Sequence, residues 1–410
     1  MRFLYIAPRY HTNQIPIVRG LQREGHEVIF LSQYAGKLED YSEVTPVVIG
    51  YSSVYMFFDK IYMRLMHKKN VLAGDKKIKC GVPKLRKLAR HIKASGADVA
   101  ILRERSVYSI FAYLLCKKHK IPAILYNQSP LWEDYIKNDL PHRLMRKLTP
   151  RVRMTPVLGT PGPDKVKEPG AVFVPFVMEP VAEGMVENVW RATEMQEGDK
   201  DSCVTVQKQN ADGQSRAIEI FCIGKYEKRK NHRMMLEIMD ELLHEADAEK
   251  ENLTSRNIHL TIAGECTSGA HQEYYRGLEA FIREKGLEKH VMLLKNLTRE
   301  QVNERYKKSD LFVIPSTAEP ASISQLEAMA YGLPVICSDK NGTACYVEHK
   351  VNGYHFSDNQ KASLKEVLAS MLSDTHRMQV MGRKSLELIK EKYQIDSYLK
   401  GIYELMDMLS

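Results

Sequence analysis

The residues best suited to do chemistry lie in the last third of the chain: Glu319 and Glu327, two glutamates with seven residues between them. An ionised carboxylate only accepts hydrogen bonds. Two of them, flanking the backbone amides of Ser322, Ile323 and Ser324, suit a ligand that carries both hydroxyls and phosphates. A second set lies upstream, where Lys225 and Lys230 follow Gly224. Glycine lets a backbone approach a phosphate closely, and lysines supply point charges. A nucleotide-sugar needs both sets. Taken singly, Glu319 is a loop carboxylate, Glu327 a solvated helix residue and the lysines a solvated loop.

The elements around them decide between these readings. Leu311 to Pro315 reads as a buried strand, Ser322 to Tyr331 as a helix stopped by Gly332, and Pro334 to Cys337 as a second strand. Apolar β-branched runs on either side of an amphipathic helix mark a parallel sheet. Ser322 with Gln325 three residues on predicts a capping box. Glu319 then falls at the carboxyl end of a strand, where open α/β sheets bind ligands, and Glu327 lies a turn and a half into the helix. The helix's first amides attract phosphate. Ile218 to Gly224 is another strand, followed by the cationic loop and a helix to about Glu245.

Glu319, seven residues, Glu327 and then Ala-Met-Ala-Tyr-Gly-Leu-Pro-Val-Ile closely resembles the signature of the retaining glycosyltransferases of family 4. The resemblance spans nearly the whole chain and is strongest from Ile218 to Phe356. It implies the GT-B fold: two Rossmann-like parallel-sheet domains facing across a cleft, with a C-terminal helix, here Tyr398 to Leu409, crossing back to the first. By resemblance, Glu319 contacts the transferred sugar beside the anomeric carbon, and Glu327 accepts hydrogen bonds from the ribose. Lys225 and Lys230 fall on the donor's diphosphate, making Glu319, Lys225 and Lys230 the catalytic group. The family more often has Arg at the first of these positions, so Lys225 lacks a bidentate grip. Asn296 and Leu297 match the nucleobase pocket. A UDP-sugar is expected rather than a GDP-sugar, with no cofactor and no metal, and the leaving phosphate helps deprotonate the acceptor.

The N-terminal half departs from the family. Tyr10 to Gln14 lacks the Gly-Gly pair that approaches the donor phosphates, and the loop where many members carry His holds Asn127 and Gln128. These amides and Arg103 and Arg105, which follow the previous strand, are the acceptor-side candidates; a polar strand end is the plain alternative. Further strands are expected over Arg2 to Pro8, His26 to Ser32, Val99 to Leu102, Ile121 to Tyr126 and Val172 to Val177.

At 410 residues the chain accommodates two domains. The expected boundaries are 1–178 with 395–410, and 179–394 carrying a polar linker at 183–216. The chain's Asp-x-Asp, Asp199-Lys-Asp201, lies in that linker and reads as solvated rather than metal-binding. Seven cysteines without a Cys-x-x-Cys pair point to reduced thiols and a cytoplasmic protein. No signal peptide or membrane span is expected, since Ser106 to Cys116 is too short to cross a bilayer.

Charge is unevenly placed. Residues 60–93 hold twelve Lys or Arg against Asp75 alone, a balance of +11, while the whole chain is +9. Phe57, Phe58, Ile61, Tyr62, Leu65 and Met66 recur at helical spacing there, with Lys60, Arg64, Lys68 and Lys69 interleaved. Two readings stand: an element lying on the anionic inner leaflet of the cytoplasmic membrane, or a helix with its apolar face in the core. No nucleic-acid motif accompanies the charge.

The expected reaction is sugar transfer to a saccharide or lipid-linked saccharide, as in bacterial surface polysaccharide or glycolipid assembly. A nucleotide-sugar epimerase shares the architecture but converts donor without acceptor. A non-catalytic binding scaffold releases no nucleotide.

Overall fold

Phe3 to Ala7 and Leu311 to Ile314 are apolar at every position and buried at every position, as strands covered on both faces must be. The structure, a computed structural model, describes residues 1–36, 39–66, 80–181, 217–248 and 258–409. Lys68, Lys69, Asp199, Asp201 and the linker 183–216 lie outside the described residues. The chain divides into two compact units, Met1–Val177 with Tyr393–Ser410, and Met178–Lys392.

The first unit contains β1 (Arg2–Ala7), β2 (Glu27–Ser32), β3 (Val47–Val48), β4 (Val99–Arg103), β5 (Ala123–Tyr126), β6 (Trp132–Glu133), β7 (Arg153–Thr155), β8 (Val166–Lys167) and β9 (Ala171–Phe173). Seven form one sheet in the order β3-β2-β1-β4-β5-β7-β9, parallel throughout, and β6 and β8 form a separate antiparallel pair. The last helix, Ile395–Asp407, belongs to this unit and buries Tyr398, Leu399, Ile402 and Leu405 in its core. Gly401 makes that docking possible, because a Cβ there would meet Val174 at 2.7 Å. The Tyr398 and Tyr5 hydroxyls hydrogen-bond at 2.7 Å in the same core.

The second unit contains β10 (Ile218–Ile223), β11 (Ile258–Gly264), β12 (Val291–Lys295), β13 (Leu311–Ile314), β14 (Val335–Ser338) and β15 (Gly353–Phe356). Its sheet runs β12-β11-β10-β13-β14-β15, again all parallel. Both Rossmann-like sheets are therefore as the sequence predicts.

Two local expectations need correction, and one strand, β7, was not expected. The strand expected over Val172 to Val177 stops early: Val174 N–H still reaches Thr155 O at 3.0 Å, but Pro175 has no N–H to continue the ladder. β7 escaped sequence reading because its first residue is Arg153, fully buried, which breaks any apolar run. The predicted capping box is absent, since Ser322 makes no side-chain cap bond.

Candidate active site

β10 and β13 are neighbours whose following strands run to opposite edges of the sheet, which makes the gap between them the switch point of the second unit. The loop after β10 carries Gly224 to Asn231, and the loop after β13 carries Glu319. Gly224 leaves room for the Lys230 stem, because a Cβ there would lie 3.0 Å from Lys230 Cδ. Lys230 Nζ donates to Glu319 Oε2 at 2.5 Å, and Arg229 Nη1 donates to the same oxygen at 2.8 Å. Thr317 N–H donates to Arg229 O at 2.9 Å and Gly342 N–H to Glu319 O at 2.8 Å, so backbone bonds clamp the loops together. Ala318 takes φ +47°, a left-handed turn that costs an L-residue about 1 kcal/mol or more and turns the chain sharply just before Glu319. Glu319 is itself buried.

The helix Ile323–Ala330 follows. Its expected cap partner Gln325 is fully buried and engaged elsewhere: its amide donates to Thr343 O at 2.7 Å and its oxygen accepts from Asn341 Nδ2 at 3.0 Å. That long-range network outcompetes the local box and fixes the loop 341–343 against the helix. Ser322 N–H donates to Thr343 Oγ1 at 3.2 Å, and the hydroxyls of Ser322 and Ser324 pair at 2.9 Å. The Ile323 and Ser324 amides are first-turn groups, to which helix geometry gives no intrahelical acceptor.

Glu327 is held by two residues that sequence reading did not single out. Arg299 Nη1 donates to its Oε1 at 2.5 Å, and the Tyr306 hydroxyl donates to its Oε2 at 3.0 Å. Burial pushes the Tyr306 hydroxyl well above the ordinary tyrosine range, and Glu327 beside it adds to that, so it stays a neutral donor. The available signal was the spacing of Val302 and Tyr306, the two buried residues of the helix Arg299–Lys308, which marks Tyr306 as core-facing. Arg229 was legible only as one more cation in a cationic loop.

Lys225 lies apart from this cluster's carboxylates and pairs with Glu265 at 3.2 Å. Asn296 adopts φ +52°, and its side-chain oxygen accepts from Cys266 N–H at 2.8 Å, tying the ends of β11 and β12; Leu297 follows it, half-buried. In the first unit, Asn127 Oδ1 accepts from Arg153 Nη1 at 2.9 Å, and Arg105 donates to Glu168 at 2.5 Å. Gln128 reaches the Tyr126 hydroxyl at 3.4 Å, and Arg103 lies 5.6 Å over the Tyr126 ring. Burial lowers the Arg153 pKa, with Glu168 at 3.1 Å and Glu133 at 3.8 Å as counter-ions. Among the described residues no group of three or more His, Cys, Asp or Glu is placed to hold a metal ion. No helix among them is long and apolar enough to cross a membrane.

Two Rossmann-like sheets, the second gathering cations and carboxylates at its switch point, define the GT-B class of architecture. Residues 206–387 match the family Glycosyl transferases group 1. An uncharacterized glycosyltransferase of Methanocaldococcus jannaschii is 28% identical over 194 residues, 46% of each chain. The mouse alpha-1,3/1,6-mannosyltransferase ALG2 is 24% identical over 190 residues, 46% of this chain and 44% of that one. A lipopolysaccharide 1,2-N-acetylglucosaminetransferase of Salmonella typhimurium is 27% identical over 155 residues, 37% and 40%. The chain thus spans less than half the length of these curated relatives. Solved structures share the fold end to end: a glycosyltransferase from Rickettsia africae has a TM-score of 0.66 at 14% identity, covering 100% of this chain and 98% of that one. Anabaena HepE in complex with UDP-glucose has a TM-score of 0.64 at 12% identity, covering 100% of both.

Proposed function

We propose that the chain is a retaining hexosyltransferase that moves a sugar from a UDP-sugar to an acceptor hydroxyl. The observation that carries this reading is the convergence of Lys230 and Arg229 on Glu319 at the β10/β13 switch point. Sugar transfer separates charge, leaving an oxocarbenium-like sugar beside a departing diphosphate. Lys230 and Arg229 together with Lys225 stabilise the diphosphate, and the Ile323 and Ser324 amides complete the cradle, so the positive charge comes from the protein without a metal. Losing one such donor commonly raises a barrier by ~3–4 kcal/mol. Glu319, released from the cations as the pyrophosphate competes for them, holds the sugar hydroxyls beside the anomeric carbon. Glu327, oriented by Arg299 and Tyr306, accepts from the ribose, while Asn296 and Leu297 border the base. The leaving phosphate takes the acceptor proton.

Acceptor contacts are assigned to the loops after β4 and β5. Arg103 and Gln128 meet the saccharide there, and Asn127 and Arg105 support them through Arg153 and Glu168. A role in surface polysaccharide or glycolipid assembly in the cytoplasm draws on the Salmonella relative's lipopolysaccharide acceptor, and UDP on the HepE complex. Six described cysteines are free thiols, which fits a reducing compartment. The test is incubation with UDP-, GDP- and ADP-sugars, with and without a membrane extract, following nucleotide release. Release of UDP that requires the extract supports transfer. Donor converted without any acceptor, or no release at all, overturns it.

A further inference from the structure

The helix Ser53–Met66 turns four apolar residues outward. Val54, Phe57, Phe58 and Ile61 are 69%, 61%, 62% and 39% exposed. Their spacing of three, four and seven residues puts them on one helix face. The opposite side is anchored, since Tyr55 stacks on Tyr51 at 5.7 Å and Tyr51 on Tyr34 at 6.4 Å. Ser52 fixes the start by accepting Tyr55 N–H at 3.2 Å. The core reading of this helix is therefore wrong for Phe57, Phe58 and Ile61.

Cations lie on the stripe's own helix and on the helix that starts beside it. Lys60 and Arg64 are exposed on the same helix, and Lys84, Arg86, Arg90 and Lys93 are exposed on or beside the helix Leu85–Ser95. The two helices spring from one point, because Ser52 N–H donates to Val82 O at 2.8 Å and Lys84 N–H to Gly50 O at 3.1 Å. Across these two helices Asp59 is the lone acid.

We propose that this face docks on an anionic lipid bilayer, with Phe57, Phe58, Val54 and Ile61 entering the acyl boundary and the cations meeting lipid phosphates. Each half of the pattern needs that surface: an apolar stripe gains by leaving water, and each cation near an anionic leaflet adds attraction. A nucleic acid offers phosphates but no hydrocarbon to receive the stripe. A second copy of this chain would bring like charges together. None of these residues belongs to the donor site, so a failure here leaves the sugar-transfer reading standing.

The experiment is co-sedimentation of the full chain with vesicles of phosphatidylcholine alone or with one-third phosphatidylglycerol. Binding is expected on the anionic vesicles only, falling as salt rises. The double variant Phe57→Ser/Phe58→Ser, made at exposed sites and checked by circular dichroism, should bind on the order of tenfold or more weakly. In Phe58→Trp, tryptophan emission should shift to the blue and be quenched by acyl-brominated lipid. Absence of vesicle binding, unchanged binding of the double variant, an unquenched tryptophan, or a solution dimer that buries the stripe would each overturn the proposal.

Discussion

Lys230 and Glu319, 89 residues apart in the chain, meet at 2.5 Å across the switch point of the second sheet. Arg229 adds a second cation to the same carboxylate oxygen at 2.8 Å. A buried carboxylate is tolerable only with such partners, and cations so placed are also where a pyrophosphate would bind. On the proposed reading the pair sets up a competition, with the cations that hold Glu319 also taking the donor's pyrophosphate.

Glu319→Gln should therefore separate two functions. Transfer is expected to fall by about 10²–10³-fold, as for loss of a group that acts in the transition state. UDP affinity should hold or rise, because the lysine and arginine lose their charged competitor. Steady-state rates with calorimetric UDP titration check this. A UDP affinity that collapses along with the rate would contradict it.

Tyr306→Phe removes one hydroxyl from Glu327 while keeping the ring against Phe221, Phe312 and Tyr331, whose centroids lie 5.2, 5.7 and 5.3 Å away. Stability should drop by about 1–2 kcal/mol, and UDP should bind several-fold more weakly because its ribose acceptor is less well oriented. Arg299→Ala should weaken UDP in the same direction, while Lys225→Ala should lower the rate more than the affinity. Urea melts and UDP titrations read these effects; identical UDP affinity in Tyr306→Phe and Arg299→Ala would remove the role given to Glu327.

Burial in the second unit keeps His232 neutral, with its pKa lowered from 6.5 to about 3, and Lys230 works in the same direction. Its ring lies between Tyr226 and Tyr274, at centroid distances of 5.4 and 6.1 Å. The unfolded chain takes up a proton near pH 6.5 and the folded one does not. The stability this histidine contributes is thus complete above pH 6.5 and lost as pH falls toward 3. By pH 5 the loss should reach about 2 kcal/mol. His232→Phe should flatten that part of the pH–stability curve, read from denaturant midpoints; an unchanged slope would show that other groups cause the acid sensitivity.

Arg153 is fully buried between Glu168 and Glu133. Glu168→Ala leaves that guanidinium without its nearer counter-ion and should cost about 3–5 kcal/mol. Arg105 shares Glu168, so its own replacement should cost less. Urea unfolding measures both, and a loss under 1 kcal/mol for Glu168→Ala would contradict a structural role.

What the sequence made legible were features encoded locally. Apolar β-branched runs marked most strands of the two sheets, though not β3, β7 or β15, and the position of Glu319 followed from the end of β13. The features it hid depend on residues far apart. Gln325 satisfies both rules for a capping box but is claimed by Asn341 and Thr343, 16 and 18 residues away. Arg229 and Arg299 stood among many cations, and only folding brings them to a carboxylate. The strand at Arg153 contradicts the apolar pattern because an ion pair, not hydrocarbon, satisfies its burial. The helix at 53–66 has apolar residues on two sides, so periodicity could not tell which side faces water.

The most direct measurement is a crystal structure of the chain with a UDP-sugar bound. The diphosphate is expected on Lys230, Arg229 and the amides of Ile323 and Ser324, the ribose on Glu327 and the sugar against Glu319. A nucleotide bound elsewhere, with the Lys230–Glu319 pair undisturbed, would contradict that placement.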